Sequence, residues 1–187
     1  MTTSHSTRTR DRMLDAAVDG LKRHGVAGMS FTDVLAASGA ARGAIYHHFP
    51  GGKAQLVAEA AAANADQVRD VFASLPTDTP GAVVDAFIKA VRPAVEGSAA
   101  GLGCAVAALS LDDDRGNHTL RRAASTAFDL WTDALAERLS TAGLPTPEAT
   151  DLATTLLSML EGAHVLCRAA GSLEPYERIA RTARTLA

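Results

Sequence analysis

A chain of 187 residues that is 47% hydrophobic can bury a sizeable core, which excludes a disordered polypeptide. With only 4% aromatic residues and many alanines, the composition predicts close-packed helices rather than sheets, so the expected fold class is all-α. No apolar run reaches the roughly 18 residues of a membrane span, and Met1 to Arg12 lacks an apolar signal-peptide core, so a cytoplasmic protein with no membrane partner is expected. The net charge of −3 is unevenly placed: residues 1–55 hold seven Lys and Arg against four Asp, with four of the six histidines. A positive N-terminal quarter on an acidic remainder is the asymmetry expected where one end meets phosphate.

Thr7 to His24 reads as a helix, because Met13, Leu14, Ala17, Val18 and Leu21 recur at helical steps, and Gly25 closes it. Arg8, Arg10 and Arg12 stand at its start, either as a solvated basic end or as contacts to phosphate or the minor groove. Ser30 with Asp33 forms a capping-box-like start to a short second helix, which Ser38-Gly39 ends. A third helix follows within about four residues. Two short helices joined by a glycine-containing turn fit a helix-turn-helix, whose second helix lies in the major groove. Ile45 and Phe49 face inward there, leaving Arg42, Gly43, Ala44, Tyr46 and His47 outside.

Pro50-Gly51-Gly52 breaks the pattern before a long helix from about Lys53 to Leu75, a strut of about 30 Å at 1.5 Å per residue. Thr79-Pro80 starts another helix, which Pro93 is expected to kink or end, with Glu96 to Gly103 as a mobile connector. Cys104 to Leu111 is apolar on every side and is expected as a helix buried in the middle of the C-terminal domain. Asp112-Asp113-Asp114 lacks the later bidentate glutamate of a calcium loop, so a solvated loop is expected. Amphipathic helices over His118 to Ala142 and Pro147 to Ala170 form an expected antiparallel pair, and Pro175 to Leu186 gives a last helix. The architecture is thus an N-terminal three-helix helix-turn-helix domain, residues 1–52, and a C-terminal antiparallel bundle, residues 53–187, with about nine helices in all.

The stretch Gly43-Ala44-Ile45-Tyr46-His47-His48-Phe49-Pro50-Gly51-Gly52-Lys53 resembles the recognition-helix signature of the TetR family of bacterial transcriptional regulators. Gly103-Cys104-Ala105-Val106-Ala107-Ala108-Leu109, Leu160-Glu161-Gly162-Ala163 and Ser172-Leu173-Glu174-Pro175 resemble the ligand-binding half of its LmrA/YxaF subgroup. The family often has Ser or Thr where this chain has Ala41 and Ala44, so a helix cap and a possible phosphate or base contact are missing. The resemblance implies a repressor that binds a pseudo-palindromic operator as a dimer and is released by a small planar or lipophilic inducer. It favours contact with DNA by Arg8 and Arg10, and it makes Tyr46, His47 and Lys53 phosphate anchors.

From the residues themselves, Arg42 is placed at a guanine edge or an adjacent phosphate, with Gly43 and Ala44 small enough for close approach. Ser30 and Thr32 offer hydroxyls and helix-start amides. Phe87, Cys104, Phe128, Trp131, Met159 and His164 supply aromatic and polarisable material for an inducer pocket, although each taken alone is more often plain core. The helices near 118–142 and 147–170 are the expected homodimer interface. Cys104 and Cys167, without any CxxC pattern, are expected as a reduced pair of small core residues, with a thiol-based redox-sensing repressor as the alternative and an activator as a further one. No nucleophile elbow, phosphate loop or paired-carboxylate spacing points to an enzyme. Neither a cofactor nor a metal is expected, since His47 and His48 point about 100° apart with no third ligand.

Overall fold

The computed structural model describes residues 3–111 and 118–187, and the acidic run Asp112 to Asp114 lies outside them. The described residues form an all-α chain: α1 Thr3–Gly28, α2 Phe31–Ser38, α3 Arg42–His48, α4 Gly52–Ala73, α5 Pro80–Ala99, α6 Ala107–Ser110, α7 His118–Thr141, α8 Thr146–Ala170 and α9 Glu174–Ala183. They divide into two compact units, residues 1–64 with 104–127, and residues 65–103 with 128–187. No helix among the described residues is long and apolar enough to cross a membrane.

The first unit is built on α1, whose Met13, Ala17 and Leu21 are wholly or almost wholly buried. The expected stop at Gly25 is a break: Gly25 adopts φ 67°, ψ −175°, and one more turn follows. That conformation costs glycine little and other residues more. Met29, directly after this turn, packs so closely on Gly20 that a Cβ there would stand 2.9 Å from the Met29 Cγ. Against α1 lie α2 and α6.

In the second unit α5, α8 and α9 pack together. Thr79 caps α5, its hydroxyl accepting from the Ala82 amide at 3.1 Å. Val83, Val84 and Val95 of α5 and Ala149, Ala153, Leu156, Ala163 and Cys167 of α8 are completely buried. Tyr176 of α9 donates its hydroxyl to the Ile88 carbonyl. Burial raises the pKa of that phenol above its ordinary value.

Two expectations fail, and a third, at Pro93, keeps only one of its alternatives. Pro93 does not end α5, which runs on to Ala99. Pro93 and Lys89, one turn back, are both exposed, so the carbonyl that loses its amide partner faces solvent, where a proline costs least. Consequently Glu96 to Ala99 is helix rather than connector. The segment Cys104 to Leu111 is helical only over Ala107–Ser110. It packs on α1 in the first unit, not inside a C-terminal domain, and Leu111 is 83% exposed. An all-apolar run of that length satisfies a short turn against one neighbour as well as a helix buried all round, and composition cannot separate the two.

Candidate nucleic-acid interface and effector site

The helix-turn-helix assembles from local signals. Ser30 caps α2, its hydroxyl accepting from the Asp33 amide at 3.2 Å and donating to the Asp33 carboxylate at 2.6 Å. The carboxylate therefore returns to the cap hydroxyl, not to the cap amide as a full capping box would have it. Gly39 ends α2 at φ 64°, ψ 22°, the left-handed turn that releases the chain towards α3. Ala41 stands at the N-cap of α3 with no side-chain hydrogen bond. Ala41→Ser is therefore expected to raise the stability of this unit by about 0.5–2 kcal/mol, the usual worth of a cap, measurable as a higher midpoint of thermal unfolding.

Within α3 only Ile45 is buried, and Phe49, which follows, has no exposed surface at all. Arg42, Gly43, Tyr46 and His47 are exposed and Ala44 is half-buried. Tyr46, 67% exposed, rests edge-on against the Phe31 ring with centroids 5.9 Å apart. This contact aims the phenol outward from a fixed base. Arg8, Thr32 and Ser30 lie at the surface or partly so. Lys53 donates its Nζ to the Ala27 carbonyl at 3.3 Å, closing the turn beyond the Gly25 break. Burial, then the charges of His47 and Arg10, hold the His48 imidazole below its ordinary pKa of 6.5. His48 is therefore mainly neutral at pH 7 and adds little positive charge to this face.

Arg10 is part-buried and engaged by its neighbours. It pairs with Glu59 of α4 and its guanidinium lies 5.5 Å from the centroid of the Phe49 ring. Gln55 joins the same group, donating to Glu59 at 3.0 Å and accepting from the Gly51 amide at 2.7 Å. Gln55 and Glu59 were invisible to sequence reasoning. They carry no motif, and Glu59 meets its partner Arg10 from more than 40 residues away.

Of the residues expected at an effector pocket, Phe87, Phe128 and Trp131 come together in the second unit with Phe72. Ring centroids are 5.4 Å apart for Phe72–Phe87, 6.5 Å for Phe72–Trp131 and 5.4 Å for Phe128–Trp131. The Trp131 indole donates to the Ala65 carbonyl at 2.9 Å. Its need for a partner is thus met by the chain. His164 is buried, with Nδ1 2.6 Å from the Ser98 hydroxyl. Phe87 and Met159 line an apolar recess of about 270 Å³, open mouth included, between α5, α8 and α9. Cys104 belongs to the first unit, where its Sγ accepts from the Ala107 amide at 3.4 Å. No cluster of three or more His, Cys, Asp or Glu able to hold a metal occurs among the described residues.

An exposed short helix, seated on a buried anchor and preceded by a capped helix and a left-handed glycine turn, defines a helix-turn-helix DNA-binding protein. Residues 13–60 match the bacterial regulatory proteins, tetR family. Residues 80–182 match the transcriptional regulator LmrA/YxaF-like, C-terminal domain. The chain belongs to the TetR family of transcriptional regulators, within its LmrA/YxaF-like group. It is 34% identical to an uncharacterized HTH-type transcriptional regulator of Mycobacterium tuberculosis over 95% of this chain and 93% of that one. Its fold is similar to that of a TetR transcriptional regulator from Legionella pneumophila, with a TM-score of 0.82 and 21% identity over 93% of this chain and 94% of the other. It is also similar to the TetR-family transcriptional regulator CifR, in a structure of a cysteine mutant complexed with a 26-base-pair double-strand operator DNA, at TM-score 0.69 and 23% identity over 95% and 94% of the two chains. The protein is thus a DNA-binding transcriptional regulator and not an enzyme.

Proposed function

We propose that the protein is a homodimeric repressor that presents two copies of α3 to successive major grooves of a pseudo-palindromic operator and is released by a small lipophilic or aromatic inducer. The observation that carries this reading is the contrast along α3: Ile45 and Phe49 locked in the core, Arg42, Tyr46 and His47 turned to solvent. In this reading residues 1–52 read DNA, residues 53–187 bind effector and dimerise, and the protein works in the cytoplasm with the genome. Arg42 reads a base edge or an adjacent phosphate. Arg8, Tyr46, His47 and Lys53, with the Ser30 and Thr32 end of α2, fix the register on the backbone.

The twofold partner is supported by α8. Val165 and Leu166 are 68% and 51% exposed, and Gly162 and Ala169 lie one turn away on the same helix. Small and apolar residues left to water on a 25-residue helix suit a second copy of the same face. The effector is proposed to enter the second unit near Phe87, Phe128, Trp131, Met159 and His164, and its binding shifts the spacing of the two α3 helices through α4. A coupling of about 1–3 kcal/mol per site would change operator affinity about 5- to 150-fold.

Selection of bound duplex from a random pool, followed by a screen for compounds that release it, tests the whole reading. Arg42→Ala is expected to cost about 1–3 kcal/mol and relax specificity at one position, whereas Lys53→Ala weakens all sequences alike and lowers the salt slope by about one unit. A Lys53→Ala protein that binds as the wild type does would remove Lys53 from the phosphate set. A monomer at micromolar concentration in analytical ultracentrifugation would defeat the dimer, and equal operator affinity with and without inducer would defeat ligand control.

A further inference from the structure

The contacts around Arg10 form a closed circuit that begins and ends at the C-terminal end of α3. The Gly51 amide donates to Gln55 Oε1 at 2.7 Å, and Gln55 Nε2 donates to Glu59 Oε1 at 3.0 Å. The other Glu59 oxygen, Oε2, takes the Arg10 guanidinium, and that guanidinium lies over the ring of Phe49, two residues before Gly51. Between these ends the Gly52 amide donates to the Phe49 carbonyl at 2.9 Å and the Phe49 amide to the Ile45 carbonyl at 2.8 Å. A helix of seven residues cannot hold itself in water, and α3 has one buried side chain of its own, Ile45. Its pose depends on what grips the residues directly after it.

We propose that Glu59 is a positioning residue for DNA recognition: it holds Arg10 on the Phe49 ring and, through Gln55, fixes the turn at Gly51, so that α3 meets the duplex in one orientation. Arg10 then acts as a brace between α1, α3 and α4, and its charge is spent on Glu59 before any phosphate arrives. The inference rests on the reading that α3 enters the groove. It also reverses the sign that simple electrostatics gives. A carboxylate near a DNA-binding face repels phosphate, so deleting one that has no other role tightens binding to every sequence. Deleting one that orients the reading helix loosens binding to the chosen sequence. With side chains 38% and 32% exposed for Arg10 and Glu59, the solvent screens much of the pair, so the effect is moderate.

The test uses the full chain, a duplex recovered by the wild type from a random pool, and a random-sequence duplex. Glu59→Gln keeps the shape and helix propensity of the side chain. It is expected to bind the recovered duplex about 3- to 10-fold more weakly, as befits loss of one screened ion pair and its cation–π seat, with an unchanged salt slope. On the random duplex it is expected to match or slightly exceed the wild type. Arg10→Lys keeps the charge but not the planar fork, so it should show a similar loss, and the double variant should lose no more than either single one. The proposal is overturned if Glu59→Gln binds the recovered duplex as well as the wild type or better, or if the two losses multiply. A wild type that captures no duplex at all would sink the DNA reading itself, and this is seen before any variant is made.

Discussion

Phe49→Ala is expected to abolish operator binding at 37 °C while leaving the second unit folded. Phe49 has no exposed surface, and truncating a buried phenylalanine costs about 3–5 kcal/mol through lost transfer energy and the cavity left behind. For a domain whose total stability is about 5–15 kcal/mol, that is a large share. The loss falls on a segment with little else to hold it. α3 loses the anchor at its C-terminal end, Arg10 loses the ring on which it lies, and the buried Ile45 and the edge contact of Tyr46 on Phe31 are left to tie the helix to its unit. Two unfolding transitions in place of one, the lower belonging to the first unit, together with loss of duplex binding, are the expected observations. Full duplex binding by this variant would show that α3 is held by something other than its buried anchors.

The second large effect is expected at Trp131, which is 3% exposed, packs against Phe72 and Phe128, and donates to the Ala65 carbonyl at 2.9 Å. Trp131→Ala should destabilise the second unit by about 3–5 kcal/mol. Trp131→Phe keeps most of the apolar volume and removes the indole donor to the Ala65 carbonyl, which still accepts within α4, so the loss of that one hydrogen bond costs about 0.5–1.5 kcal/mol. The difference between the two variants in urea denaturation separates packing from hydrogen bonding. If both variants unfold at the wild-type midpoint, the aromatic cluster is not a structural core and its packing is available to a ligand at no cost.

The helix-turn-helix was legible because its determinants are local. Ser30, Gly39, Ile45 and Phe49 act within a few residues of where they stand, and each does in the structure what its type predicts. The fate of Arg10 was not legible. Periodicity places it on the first helix, but nothing in residues 8–12 tells that Glu59 will be the partner, since the pairing exists only once α4 has packed. At Pro93 the local rule left two outcomes open, a kink or an end, and α5 runs on because the proline falls on a solvent-facing side of the helix. The effector residues were legible only as a list of suitable side chains. The structure gathers Phe87, Phe128 and Trp131, places Met159 on a neighbouring recess, and assigns Cys104 to the other unit. Cys167 has no exposed surface, as expected of a small core residue.

The chain has a single tryptophan, and it stands in the unit that does not carry α3. Ultraviolet-excited indole emission is therefore a built-in optical probe of one half of the molecule only. A spectral change on adding duplex would be a direct readout of communication between the halves, obtained without a dye, a label or a known inducer.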